Sequence, residues 1–284
     1  MLLIKPLVLT QDMITASNAG AADPSYDSAT TYQVDDRVYY DANGETYVCI
    51  QEALDQDPSI TPLYWSIAQP SNRWAMFDAE ISTSTETTGD LTATVVPGRR
   101  CNAITLHGLI GNSVTITQLS QSGEQLYQST KTLRASPNGW YEYFFAERNQ
   151  VTDLVFDNLL LVSGGQIEIL IDGTICKCAA VTIGTRHDIG QLQMGAQTSI
   201  IDYSRKTTTA EGVQSLQQGR FSKRVSGQLL QNKGQYPNIT ALLEAVRATP
   251  CAWVGVTTDV DYAPLTVLAF YRDFSITVSY PLYN

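Results

Sequence analysis

Between residues 79 and 172, short runs rich in β-branched and other apolar residues recur at near-regular spacing: Leu91–Val96, Ala103–Leu109, Ser113–Leu119, Tyr141–Phe145, Leu154–Leu161 and Gln166–Ile171. Turn-forming residues separate them at Pro97-Gly98, Gly111-Asn112, Ser122-Gly123, Pro137-Asn138-Gly139 and Gly164-Gly165. Each run has the length of a strand, and each break supplies residues that tolerate a reversal of the chain. Several such strands in succession predict a β-sandwich over 79–172, of jelly-roll type.

The flanking stretches read differently. Up to residue 78, the run Tyr32–Tyr40 is followed by Asp41-Ala42-Asn43-Gly44 and then by Glu45–Ile50. Asn and Gly both accept positive φ, so this is a strand, a turn and a strand. Alternation places Val38 and Tyr40 on one face and Arg37 and Tyr39 on the other. From residue 173 onward, strands are expected at Thr198–Tyr203, Gly219–Leu230, Ala252–Val256 and Leu265–Tyr280. One helix interrupts them: Asn238 is its expected N-cap, Ile239, Leu242, Leu243 and Val246 form an apolar stripe, and Pro250 disfavours helix at Thr249. The chain therefore reads as mostly β in three parts: a small hairpin module at 1–78, a sandwich at 79–172, and an α+β domain with one helix at 173–284.

Charge narrows the range of partners. Charged residues make up 16% of the 284 residues, below the ~25% usual for soluble proteins. Thr, Ser, Gln and Asn take their place, giving a neutral hydrogen-bonding surface suited to extended permanent contacts. The net charge is −10 and the isoelectric point near 4.6, so phosphate backbones repel the chain and no nucleic-acid partner is expected. The longest apolar stretches, such as Leu159–Val162, fall far short of the ~20 residues of a membrane span. The apolar start Met1–Leu9 lacks a basic leader and is read as an extended docking segment, not a signal peptide, which implies synthesis in a cytosol.

Chemistry-bearing residues are sparse. The five cysteines, Cys49, Cys101, Cys176, Cys178 and Cys251, are read as buried free thiols, with Cys176 and Cys178 pointing to one face of a strand. With only His107 and His187 to join them, no metal site is expected. Arg186-His187-Asp188 is a local coincidence and not a triad. No Gly-x-Ser-x-Gly, His-Glu-x-x-His or Walker motif is present, so no cofactor is expected and the chain is read as non-enzymatic. Carboxylates in the middle part, Glu142, Glu147, Asp153 and Asp157, leave a glycan-hydrolysing acid pair as an alternative.

Two groups of segments carry a family resemblance. The string Asn72-Arg73-Trp74-Ala75-Met76-Phe77-Asp78 resembles a motif of proteins encoded in bacteriophage tail-gene clusters. The module before it, with Tyr32, Val38, Tyr47, Pro58 and Trp65, is similar to small chitin-binding-like carbohydrate modules. Ile201–Lys206, Arg220–Arg224 and Arg247–Pro250 also resemble phage tail or baseplate proteins. The resemblance covers roughly the first and last thirds of the chain. It implies a structural component of the virion, assembled in the bacterial host cytoplasm, whose partners are other tail or baseplate proteins and copies of itself. It also implies, as an alternative, a receptor-binding module for bacterial surface glycans.

Three sets of residues follow as candidates. Tyr39, Tyr40, Tyr47, Tyr64 and Trp65 could stack against sugar C–H faces, or could form the module's own core. Arg73, Trp74, Phe77 and Asp78 are read as a clasp between the first two parts, with an Arg73–Asp78 bridge as one option. Asp202, Tyr203, Arg205, Arg220, Phe221 and Arg224, with Lys206 and Lys223, concentrate charge and aromatic rings in a charge-poor chain, a composition favoured at subunit interfaces.

Overall fold

The structure, a computed structural model, describes residues 1–20, 23–134, 139–145, 150–208, 214–231, 233–255 and 265–275. The chain is mostly β and divides into two units, a larger one of Ile4–His187 and a smaller one of Met1–Leu3 with Asp188–Asn284.

In chain order the larger unit contains the end of β1 (Leu2–Pro6), then β2 (Ile14–Ser17), β3 (Arg37–Tyr40), β4 (Glu45–Cys49), β5 (Trp65–Pro70), β6 (Thr85–Thr88), β7 (Leu91–Val95), β8 (Ala103–His107), β9 (Ser113–Leu119), β10 (Gln125–Thr132), α1 (Trp140–Phe145), β11 (Leu154–Phe156), β12 (Gln166–Asp172), β13 (Ile175–Cys178) and β14 (Ala180–Asp188). One sheet runs β10-β9-β12-β7-β2, and β11-β8-β14-β1 are neighbours in a second. Successive strands cross between the two: β7 lies in one, β8 in the other, β9 and β10 in the first again. β12 pairs antiparallel with β7 and β9, setting Ile169 opposite both Ala93 and Ile116. Its strict alternation buries Ile167, Ile169 and Ile171 and leaves Glu168, Leu170 and Asp172 outward. These isoleucines, with Val114 and Ile116, meet Ile104, Leu106, Phe156, Val181 and Ile183 of the second sheet in one core. Each such side chain contributes about 1.5–3 kcal/mol by leaving water.

Several local expectations differ from what forms. Tyr141–Phe145 is helical, not extended. Ring pairs Trp140–Phe144 and Tyr141–Phe145, four residues apart, meet at 6.2 and 5.4 Å along the helix, and the β preference of aromatic residues counts only where a sheet surface receives them. The run Leu154–Leu161 stops as a strand at Phe156. Beyond it the Gln118 amide replaces a ladder partner, donating to the Leu160 carbonyl at 2.7 Å and accepting from the Leu160 N–H at 2.9 Å. β10 carries no clear alternation, yet pairs along the whole of β9. β13 and β14, placed by sequence in the third part, pair with β6 and β8 of the larger unit.

Before the sandwich, β3, β4 and β5 form a three-stranded sheet with a separate core of Tyr32, Val38, Tyr47, Cys49, Ala53 and Trp65. The turn joining β3 to β4 has only Gly44 at positive φ, +71°. Its N–H donates to the Tyr40 carbonyl, and the Asn43 side chain accepts from the Glu45 N–H. Asn-Gly therefore acts here within a four-residue turn and not as a pair of left-handed residues. Tyr39, expected on the same face as Arg37, is buried while Arg37 is exposed, and residues 24–26 pair with Tyr39 along that edge.

The smaller unit continues with β15 (Gln191–Leu192), β16 (Gln197–Asp202), β17 (Arg205–Thr208), β18 (Gln214–Gln217), β19 (Phe221–Ser226), β20 (Leu229–Leu230), α2 (Tyr236–Ala245), β21 (Cys251–Val254) and β22 (Thr266–Ala269). α2 packs Ile239 and Leu243, joined by Val246 at its C-cap, against Cys251, Trp253, Val267, Leu3 and Ile189. The helix starts two residues before Asn238: Pro237 lies in its first turn, where its fixed φ suits helix and its missing N–H has no partner to lose. It ends at Ala245, before Ala248 takes a φ of +55°. The long final strand expected at Leu265–Tyr280 is β22 alone among the described residues, and 276–280 lie outside them.

Candidate functional site

β16 and β19 pair from Gln197 opposite Ser226 to Asp202 opposite Phe221. β17 and β18 then pair from Arg205 opposite Gln217 to Thr208 opposite Gln214. The two halves form one ribbon of about 35–40 Å, at the usual rise of ~3.3 Å per residue. Between them the Tyr203 N–H donates to the Arg220 carbonyl at 3.0 Å. Asp202 accepts from the Ser204 N–H at 2.9 Å and from its hydroxyl at 2.6 Å, and the Ser204 hydroxyl oxygen accepts from the Gly219 N–H at 2.9 Å. Those bonds hold the Asp202 carboxyl below its usual range. A Cβ at residue 219 would lie 2.4 Å from the Tyr203 carbonyl oxygen, so only glycine fits this joint.

The sequence-predicted interface residues thus meet on one ribbon, although 202–206 and 220–224 lie apart in the chain. Tyr203, Arg205, Arg220, Phe221 and Arg224 are all exposed. Among the described residues, Arg205, Lys206, Arg220 and Arg224 enter no ion pair. Asp202 has a different part: it builds the joint. Apolar side chains lie in water on both sides. Ile200, 70% exposed, and Phe221, 62% exposed, share one face; Ile201 lies on the other; Leu216 is 79% exposed. The ribbon is anchored at its root, where Val225 and Leu229 pack against the α2 core.

The other candidates do other work. Tyr39, Tyr47 and Trp65 are buried, and Tyr40 and Tyr64 half-buried. Tyr40 and Tyr47 meet edge to face at 6.2 Å. The Tyr40 hydroxyl donates to Asp57 at 2.6 Å, Asn43 donates to the Tyr47 hydroxyl at 2.6 Å, and the Trp65 N–H donates to the Gln56 carbonyl at 2.9 Å. Rings in this arrangement are the module's core and do not present an open flat platform. In the Asn72–Asp78 string, Ala75–Phe77 form a 3-10 turn whose Met76 and Phe77 enter the sandwich core. Arg73 donates to the Ile14 carbonyl at 3.0 Å in place of a bridge to Asp78. Asp78 instead accepts from the Glu80 N–H and the Thr83 hydroxyl. Asn72 donates to the Gly20 and Glu86 carbonyls, tying this string to β6.

His107 forms a row that resembles a catalytic one: Asp153 lies 3.0 Å from Nδ1 and the Thr105 hydroxyl 3.2 Å from Nε2. Thr105 is fully buried and His107 is 2% exposed, so no reactant reaches the hydroxyl. Asp157 is paired with Arg186 at 3.1 Å. The side chains of Glu142 and Glu147 lie outside those described. All five cysteines are buried. A shallow hollow of ≈ 320 Å³ lies beside Gly111, Arg134 and Gln150. Arg134 and Gln150 already donate to the Asn112 side chain and the Gly111 carbonyl.

One surface escaped sequence reasoning. Trp140, Tyr141, Phe144 and Phe145 are exposed by 81, 76, 64 and 76% on α1. Trp140 and Phe144 stack almost parallel, at 14°. The signal was the crowding of aromatic residues in Trp140–Phe145, which strand periodicity absorbed.

No family model matches the sequence, and no curated protein matches it. Among solved structures, the chain is similar to a pectin-binding carbohydrate-binding module at 9% identity and a TM-score of 0.21, covering 39% of this chain and 77% of that one. It is also similar to an arabinose-bound α-L-arabinofuranosidase at 12% identity and a TM-score of 0.25, covering 65% of this chain and 31% of that one. Likenesses this low carry no argument about this chain.

Proposed function

We propose that the chain is a non-enzymatic structural subunit of a bacteriophage tail or baseplate, held against other virion proteins and copies of itself. The ribbon of residues 197–226 supports this reading. A two-stranded ribbon is marginally stable alone in water, and this one keeps Ile200, Ile201, Tyr203, Leu216 and Phe221 exposed. Such a surface gains its stability by being covered, at about 25 cal/mol for each Å² of apolar area removed from water. Repeated around a symmetric assembly, one contact of this kind stabilises every copy. Negative-stain microscopy and light scattering of the purified chain test the reading: rings, filaments or defined oligomers are expected, and loss of them on shortening the ribbon to its root. A chain that stays monomeric at about 100 μM would overturn it.

A second reading, glycan recognition at the host surface, is favoured by one observation, the exposed rings of α1. Sugars stack on open aromatic faces, and Trp140 and Phe144 offer nearly parallel ones. Glycan-array binding that disappears in Trp140→Ala with Phe144→Ala would place recognition there; an array without signal would remove the reading.

A further inference from the structure

We infer that the ribbon docks on the three-stranded module of a second copy of this chain, a partner assignment that rests on the assembly reading above. Charge is divided unevenly along the sequence. Residues 197–226 carry Arg205, Lys206, Arg220, Lys223 and Arg224 against Asp202 and Glu211, a net of +3. Residues 23–70 carry nine carboxylates against Arg37 alone, a net of −8. The ribbon is thus a cationic arm on a chain of net charge −10.

The module also offers a patch of matching texture. Backbone bonds lay residues 32–36 beside 49–53: Tyr32 and Ala53 exchange N–H donors, the Asp35 N–H donates to the Cys49 carbonyl, and the Cys49 N–H donates to the Asp36 carbonyl. This sets exposed Asp35, Asp36, Glu52 and Asp55 among Val34, Ile50 and Leu54, which are exposed by 56, 49 and 55%. The ribbon has the complementary composition, with Arg205, Arg220 and Arg224 among Ile200, Ile201 and Phe221. Guanidinium groups pair with carboxylates while the apolar side chains between them leave water. Each copy carries one arm and one acceptor patch, so the contact is heterologous. It propagates from copy to copy, closing as a ring or continuing as a filament.

The test uses the full-length chain in two charge-altered forms. The arm variant is Arg205→Glu, Lys206→Glu and Arg224→Glu. The patch variant is Glu52→Lys with Asp35→Asn and Asp55→Asn; asparagine tolerates the left-handed backbone at residues 35 and 55, where φ is +75° and +55°. Circular dichroism checks that both fold. Wild-type self-association should weaken about tenfold or more between low and high salt. Each variant alone should be monomeric, and an equimolar mixture should give a one-to-one heterodimer, because the patch variant keeps its arm and the arm variant keeps its patch. Self-association that persists in either variant, or a mixture that stays monomeric, overturns the pairing while leaving the assembly reading standing. A wild-type chain monomeric at every salt concentration overturns the assembly reading itself.

Discussion

Replacing Trp65 by alanine should unfold the small module while leaving the sandwich folded. Trp65 is 2% exposed, meets Tyr32 at 5.2 Å and Tyr26 at 6.0 Å, and donates its ring N–H to the Gln56 carbonyl. Burying about 200–250 Å² of aromatic side chain at about 25 cal/mol/Å² gives roughly 5–6 kcal/mol. Burial already present in the unfolded chain lowers that by about 10–40%, leaving a cost of roughly 3–5 kcal/mol, the range known for Trp→Ala in cores. A module of about 50 residues, at roughly 0.05–0.15 kcal/mol per residue, has only about 2–7 kcal/mol to lose. Its core, Tyr32, Val38, Tyr47, Cys49, Ala53 and Trp65, is separate from that of the sandwich. Hydrogen exchange read by mass spectrometry should therefore show lost protection in peptides from 32–70 and retained protection in β9 and β12. If Trp65→Ala kept full protection in the module, the assignment of its aromatic rings to a core would be wrong.

Further outcomes follow from the geometry. His107→Ala should destabilise the larger unit by about 2–4 kcal/mol, since it opens a cavity and strips a hydrogen bond from buried Thr105; an unchanged urea midpoint would contradict the buried row. Burial raises the Glu45 carboxyl, helped by repulsion from Asp78 and Glu80. A carboxyl raised on folding contributes stability below its unfolded pKa and loses that contribution as pH climbs through the folded value. Glu45→Gln should therefore melt at least as high as wild type at pH 7, with the gap closing as pH falls through the carboxylate range; a lower melting point at pH 7 would refute the sign. Burial pushes the Cys101 thiol up to about 11 and Cys178 up to about 12, so the native chain should resist a thiolate-reactive dye at pH 8 and release five reactive thiols in guanidinium.

What sequence alone determined is periodicity. The alternation of Ile167, Ile169 and Ile171 with Glu168, Leu170 and Asp172 specifies both the strand and its buried face, because side chains of a strand point alternately to its two sides. The stripe Ile239, Leu242, Leu243 and Val246 specifies α2 in the same way, and the chain's mostly β character follows from such patterns. Periodicity says which residues share a face. It does not say what covers that face, because the covering layer comes from residues distant in the chain. Tyr39 is buried, and residues 24–26 pair along its edge. Trp140–Phe145 coil into a helix whose rings pair four residues apart instead of alternating across a sheet. β13 and β14 join the larger unit because β6 and β8 supply their ladders. The candidate ribbon divides along the same line. Its charged and aromatic residues stand out in the sequence, but only the pairing of Asp202 with Phe221 gathers them. Their exposure is a tertiary fact: among the described residues β16 pairs only with β19 and β17 only with β18, which leaves Ile200, Leu216 and Phe221 in water.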